Sequence, residues 1–277
     1  MAESAFQTQY RQEFIQGFER LQSYARDTVT TEVEVKGNTA TFLVADSGDA
    51  AAVTRGLNGL IPGRADALTQ NTATLVEWHD VPKKTGFNIF ASQGDQRRIM
   101  QETSMHVINR KIDDDIITEL NTGTVNTGAT TQASLDLVMH ATTLLGNADV
   151  PFDGNISALI TPAFYSYLMQ TTEFASADFV DNKPFSGKNM FFRWAGVNFI
   201  VHTGLPGAAT SAEKCFIYHK SAIGHAINSG GIQTQVGYNE ENDYSFARCT
   251  VYMGSQLLQN EGVIVVNHDG SGFAAGA

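Results

Sequence analysis

The chain has 277 residues, 42% of them hydrophobic and only 17% charged, with a formal net charge of −11. That length allows one large domain or two small ones, and the apolar share supports a sizeable core. The acidic balance excludes a direct, sequence-independent grip on nucleic acid, which needs basic surface, but not a protein that merely encloses it.

Met1-Ala2-Glu3 opens without the basic and apolar regions of a signal peptide, and no apolar run approaches the roughly 18 residues of a membrane span. The expectation is a chain made and folded in a cytoplasm, with no membrane partner. Phe6, Tyr10, Phe14, Phe18, Leu21 and Tyr24 recur at steps of four and three, an aromatic stripe at helical spacing. Such an arm docks either on its own core or on a neighbour.

Thr31 to Lys36 alternates as a strand, Gly37-Asn38 marks a turn, and Ala40 to Ala45 resumes as a strand. Residues 46–71 then lose all periodicity, with Arg55-Gly56-Leu57-Asn58-Gly59 and Leu60-Ile61-Pro62-Gly63 at their centre. A loop of this length inside a domain is functional or partner-bound. It is no solvated linker, because Val53, Leu57, Leu60, Ile61 and Leu68 would be stranded in water. A strand returns over Thr72 to Val81, which makes the whole a long hairpin with an apolar, glycine-rich tip.

Between Ser92 and Asn121 the spacing predicts one long helix. Ser92 and Asp95 form an acidic variant of the capping box, and Met105, Ile108, Ile112, Ile116 and Leu120 fall on one face. About 26 helical residues would span about 39 Å. A second helix is expected over Gln132 to Leu145, with Leu135, Val138, Met139, Thr142 and Leu145 inward. Ile156 to Ile160 reads as a buried strand, and Thr161-Pro162 as a helix cap with proline at the first position. Strands are expected at Met190–Trp194, Val197–His202, Lys214–Tyr218, Ile232–Gly237, Tyr244–Leu257 and Gly262–Asn267. Lys220 to Asn228 reads as a short Ala-rich helix. The class is α+β.

Chemistry is thinly represented. Asp113-Asp114-Asp115 diverge around a helix and cannot converge on one cation, so a solvated or intersubunit charged face is expected there. Arg97, Arg98, Arg110 and Lys111 share that helix and supply the opposite sign. Glu240-Glu241-Asn242-Asp243 lacks the alternating ligands of a calcium loop and reads as a hairpin bend. The seven histidines form no His-x-x-x-His pair, and no nucleophile elbow or phosphate-binding loop appears. Cys215 and Cys249 lie in strand-like runs and read as buried reduced thiols. No cofactor, metal or catalytic residue is expected, although a triad assembled by geometry alone would escape a sequence reading.

The order of parts resembles the major capsid proteins of tailed double-stranded DNA bacteriophages, the HK-97-type fold. The likeness is carried by DQRRIMQETSMHVINRKIDDDIITELNTG as a spine helix, by the run from Leu135 through ITPAFYSYLM to Phe179, and by FFRWAGVNFIVHTGLPG. HKSAIGHAI and GVIVVNHD complete it. The resemblance implies an N-arm at 1–30, an E-loop at 31–84, a P-domain from 85–130 with 245–277, and an A-domain at 131–244. It also implies hexamers and pentamers tiling an icosahedral shell around DNA, in a virion assembled in a bacterial cytoplasm, with a portal, decoration proteins and either a separate scaffolding protein or a scaffolding extension already removed. Assembly contacts are expected at Phe6, Tyr10, Phe14 and Phe18 in the arm, Leu57, Leu60 and Ile61 at the loop tip, and Arg97, Arg98, Asp113 and Asp114 on the helix. Some members weld neighbours through an E-loop lysine. Residues 40–82 contain none, so no such crosslink is expected. An encapsulin-type nanocompartment shell and a soluble enzyme are the alternatives.

Overall fold

In the computed structural model the described residues are 22–47, 50–65, 67–91, 95–175 and 191–273. Five strands come first: β1 (Thr30–Val35), β2 (Thr39–Asp46), β3 (Ala67–Thr74), β4 (Val76–Asp80) and β5 (Lys83–Thr85). The helices α1 (Gly86–Ala91), α2 (Gln96–Leu120) and α3 (Leu135–Asn147) follow, then β6 (Ile156–Ile160), α4 (Pro162–Leu168) and α5 (Thr172–Ala175). The rest is strand: β7 (Phe191–Trp194), β8 (Val197–Val201), β9 (Glu213–His219), β10 (Ile223–Asn228), β11 (Gln233–Asn239), β12 (Tyr244–Leu257) and β13 (Val263–His268). The described residues gather into two compact units, one from 77–111 and 230–252, the other from 24–76, 112–229 and 253–277. Both α2 and β12 contribute to each.

The first unit is built on the β11–β12 hairpin, in register from Gln233↔Thr250 to Asn239↔Tyr244, with β5 antiparallel on the other side of β12. Its turn is the acidic bend, closed by Asn242 N–H donating to Asn239 Oδ1 at 2.9 Å and by Tyr238 Oη donating to Asp243 at 2.6 Å. The start of α2 is held by Asp95, whose Oδ1 accepts from Arg98 N at 3.2 Å. That satisfies one of the amides a helix N-terminus leaves open. The expected Ser92 cap lies outside the described residues. Met100 and Ile108 are buried here, and Lys111 Nζ lies 4.0 Å from the Trp78 ring centroid.

The second unit centres on a five-stranded sheet in the order β13-β9-β6-β8-β7, with β6 and β8 parallel and the other neighbours antiparallel. All five residues of β6 are buried, as a strand covered on both faces demands. Ser134 caps α3 and Thr161 caps α4, each accepting from an amide three residues on. Pro162 sits at the first position of α4, where a missing N–H costs nothing. Ile112, Ile116, Ile117 and Leu120 bury the end of α2 here. The strand β1 runs parallel to β10, and β10 pairs antiparallel with the last part of β12.

Two expectations need correction. Ile223–Asn228 is strand rather than helix, because β1 and β12 flank it on both edges and five consecutive residues are buried. A helix would have turned some of them outward. In α3 the inward face is Leu137, Val138, Ala141, Thr142 and Leu145, while Met139 is exposed. The buried stripe follows Leu137, Ala141 and Leu145 at steps of four, with Val138 and Thr142 beside them, and the helix begins three residues later than expected.

Candidate functional site

The hairpin places the first set of candidate residues. β2 and β3 pair antiparallel from Thr39↔Thr74 to Asp46↔Ala67. At the base, Ala40 and Ala73 join Val35 and Ala226 in a small apolar cluster against which Phe42 and Leu75 pack. Alternation then turns Leu43 and Leu68 outward on the opposite face, where both are exposed. Beyond the strands, Gly56 N donates to Leu60 O at 3.0 Å and Gly59 N to Gly56 O at 2.9 Å, a small closed turn. Leu57 is fully exposed, and Leu60 and Ile61 keep 74% and 66% of their surface in water. With Val53 they form an apolar tip without a covering element among the described residues. Large exposed apolar patches mark interaction sites, ligand grooves or aggregation-prone segments.

The helix candidates separate. Arg97 and Arg98 are exposed, and Arg98 pairs with Glu102 one turn on at 3.3 Å. Asp114 is exposed as expected. Asp113 is not on that charged face. It is wholly buried, accepting Tyr24 N and Ala25 N on Oδ1 at 3.1 and 3.0 Å and His202 Nε2 on Oδ2 at 3.2 Å. Gly204 N donates to His202 Nδ1 at 3.1 Å, which fixes the ring proton on Nε2. Asp113 therefore pins the chain at residues 24–25 inside its own unit. Phe6, Tyr10, Phe14 and Phe18 lie outside the described residues.

Sequence reasoning missed two further buried polar groups. Glu213 Oε2 accepts from Thr161 Oγ1 at 2.6 Å and from His268 Nδ1 at 2.8 Å, and its other oxygen accepts from Ala209 N. Burial lowers the basicity of His268 below its ordinary value, against the opposing pull of Glu213. This carboxylate joins the cap of α4 to the end of β13. In the second group Ser255 Oγ donates to Asp115 Oδ2 at 2.7 Å and accepts from His225 Nδ1 at 3.0 Å. Burial, with Arg26 nearby, lowers the pKa of His225 to about 4.

Serine, histidine and aspartate meet in that second group, but in the wrong order for nucleophilic catalysis. A triad needs the imidazole between hydroxyl and carboxylate so that it can take the hydroxyl proton. Here the hydroxyl lies between the other two, and His225 is fully buried. The thiol of Cys215 is likewise buried and pushed up to about 12, away from thiolate chemistry. No three His, Cys, Asp or Glu side chains cluster as metal ligands among the described residues.

What remains among the described residues is an uncovered apolar hairpin tip. A family model described as phage capsid protein matches residues 2–270. The chain belongs to that family. It is a structural major capsid protein of the HK-97-type fold, a subunit of an icosahedral phage shell. Among solved structures it is similar to that of Mycobacterium phage Che8, at 14% identity over 96% of this chain and 98% of the other, with a TM-score of 0.79. The Cyanophage Pam1 capsid gives 12% identity, 98% of each chain and a TM-score of 0.73. The capsid of a native GTA particle gives 14%, 96% of each and 0.72. At such identities the likeness is one of fold. No curated protein matches the chain.

Proposed function

We propose that copies of this chain associate as hexamers and pentamers through the hairpin tip and enclose double-stranded DNA without binding its sequence. The observation that supports this reading is the exposure of Leu57, Leu60 and Ile61 on a turn held by its own backbone bonds. Covering those side chains would recover roughly 1.5–3 kcal/mol each, and a shell repeats the contact many times. Residues 1–30 serve as an arm, 31–84 as the E-loop, 85–130 with 245–277 as the P-domain, and 131–244 as the A-domain. Phe6, Tyr10, Phe14 and Phe18 dock on neighbours, and Arg97, Arg98 and Asp114 contribute exposed charge to intersubunit contacts. The net charge of −11 suits a wall that surrounds DNA without adhering to it. A scaffolding protein, a portal and decoration proteins complete the particle, which assembles in a bacterial cytoplasm, and the chain itself carries out no catalysis.

The test is the triple substitution of Leu57, Leu60 and Ile61 with serine. The variant should stay soluble and folded, with unchanged circular dichroism, yet give no closed particles by electron microscopy. Normal shells from it would refute the role assigned to the tip.

A further inference from the structure

The tip carries a second feature. Asn58-Gly59 is the single Asn-Gly pair in the chain, since every other asparagine precedes a residue with a side chain. We propose that Asn58 is a deamidation site that disables the hairpin tip as a free subunit ages and that assembly shields, the shielding resting on the reading that a neighbouring copy covers this turn.

The chemistry needs only the chain and water. The Gly59 backbone nitrogen attacks the side-chain carbonyl carbon of Asn58, a C–N bond closes a succinimide ring, and the amide C–NH2 bond breaks. The amine leaves as ammonia, carrying the proton given up by the Gly59 nitrogen. Water then opens either imide C–N bond, leaving aspartate or isoaspartate. No oxidant, metal or second enzyme enters the balance.

The local structure meets the requirements for that attack. Residues 56–61 are all exposed, so water and base reach the turn. Gly59 has φ +73 and no side chain, and nothing lies within 4 Å of the place where one would sit, so no group crowds the turn on that side. One exposed bond, from Gly59 N to Gly56 O at 2.9 Å, must open before the nitrogen can turn toward the asparagine. Isolated turn bonds at a loop tip open far more often than bonds in a sheet ladder. No described residue hydrogen-bonds the Asn58 side chain in competition with the attack.

The product differs where it matters. Residues 50–65 carry Arg55 and Arg64 and no acidic residue. Deamidation would set a carboxylate between Leu57 and Leu60, on the surface proposed to be buried. An unpaired carboxylate resists transfer out of water. The isoaspartate form also adds a methylene to the backbone of a tight turn. An aged subunit would then keep its fold and lose its place in the shell.

The experiment follows Asn58 by peptide mapping in full-length unassembled subunits and in assembled shells, held side by side in mildly alkaline buffer. Asn58 should convert faster than any other asparagine in free subunits, and about tenfold more slowly in shells, where neighbours hold the turn closed. Asn58→Asp should remain soluble and fail to form shells, while Asn58→Gln should keep its assembly competence after ageing. An Asn58 that stays intact in free subunits would overturn the site and leave the docking role of the tip untouched. Shells formed by Asn58→Asp as readily as by the parent would overturn the consequence. Equal conversion in subunits and shells would overturn the shielding and also count against a buried tip.

Discussion

Asp113 Oδ2 lies 3.2 Å from His202 Nε2, with both side chains wholly removed from solvent. The same carboxylate takes two backbone amides from residues 24 and 25. Three donors from two distant segments thus converge on one side chain at the buried end of α2. Asp113→Ala leaves all three without an acceptor, and stranded buried donors cost about 1–3 kcal/mol each, offset in part by water entry. The expected loss is about 3 kcal/mol in urea unfolding. Asp114→Ala, one residue on and exposed, should change stability by less than about 0.5 kcal/mol. Comparable losses in the two variants would show that the buried geometry does not set the stability.

That pair also shows what was legible in the sequence. The length and apolar face of α2 came directly from the isoleucine spacing, and the hairpin came from two strand patterns around a glycine-rich break. Three consecutive acids look like surface, and so the sequence pattern alone puts Asp113 on the charged face. The signal against that reading was present: Ile117 stands four residues on and Leu120 seven on, which puts Asp113 on the apolar side. The partners Tyr24 and His202 are 89 residues away on either side and follow no local rule. β10 reads as helix for a related reason. Its residues are buried on both faces, so the period that separates helix from strand vanishes, and only pairing with β1 and β12 decides it.

His225 gives the chain an acid-sensitive point. Ser255 faces it from β12, carrying Asp115 behind it, while Thr31 stands beside it in β1 and Arg26 adds positive charge nearby. Its pKa falls from 6.5 to about 4 in the folded chain, so between those values the unfolded chain binds the proton more tightly. Stability is therefore full above pH 6.5 and is lost progressively as pH falls toward 4, by about 3 kcal/mol in all. His268 shifts in the same direction and steepens the loss. Urea midpoints measured across this range should fall with pH, and His225→Asn should flatten the curve. An unchanged slope in that variant would remove His225 as the cause.

Gly254 fixes the base of the hairpin. A Cβ there would lie 2.2 Å from the backbone oxygen of Thr74 and 2.9 Å from its carbonyl carbon. Backbone cannot swing aside as a side-chain tip can, so Gly254→Ala must push the end of β3 away from β12. Overpacking of this kind costs about 1–3 kcal/mol. Hydrogen exchange should quicken first in β2 and β3, while amides of β6 and β9 keep their protection. Uniform loss of protection through the unit would contradict a local origin.

The lysines set a limit on how copies can be held together. An amide weld between subunits needs a free lysine amine on the hairpin, and residues 40–82 offer none. Lys83 and Lys84 follow it in the chain, and both are engaged within their own unit. Lys83 Nζ lies 4.9 Å from the Tyr244 ring centroid, and Lys84 Nζ donates to the Gln96 side chain. Moving either amine to a neighbouring copy would break these contacts. Cohesion between copies should then be non-covalent and rest on burial of the apolar tip. Assembled particles boiled in detergent should run as a single band at 30.0 kDa. A ladder of multiples surviving reductant would place a covalent bond between subunits and shift the weight of cohesion away from Leu57, Leu60 and Ile61.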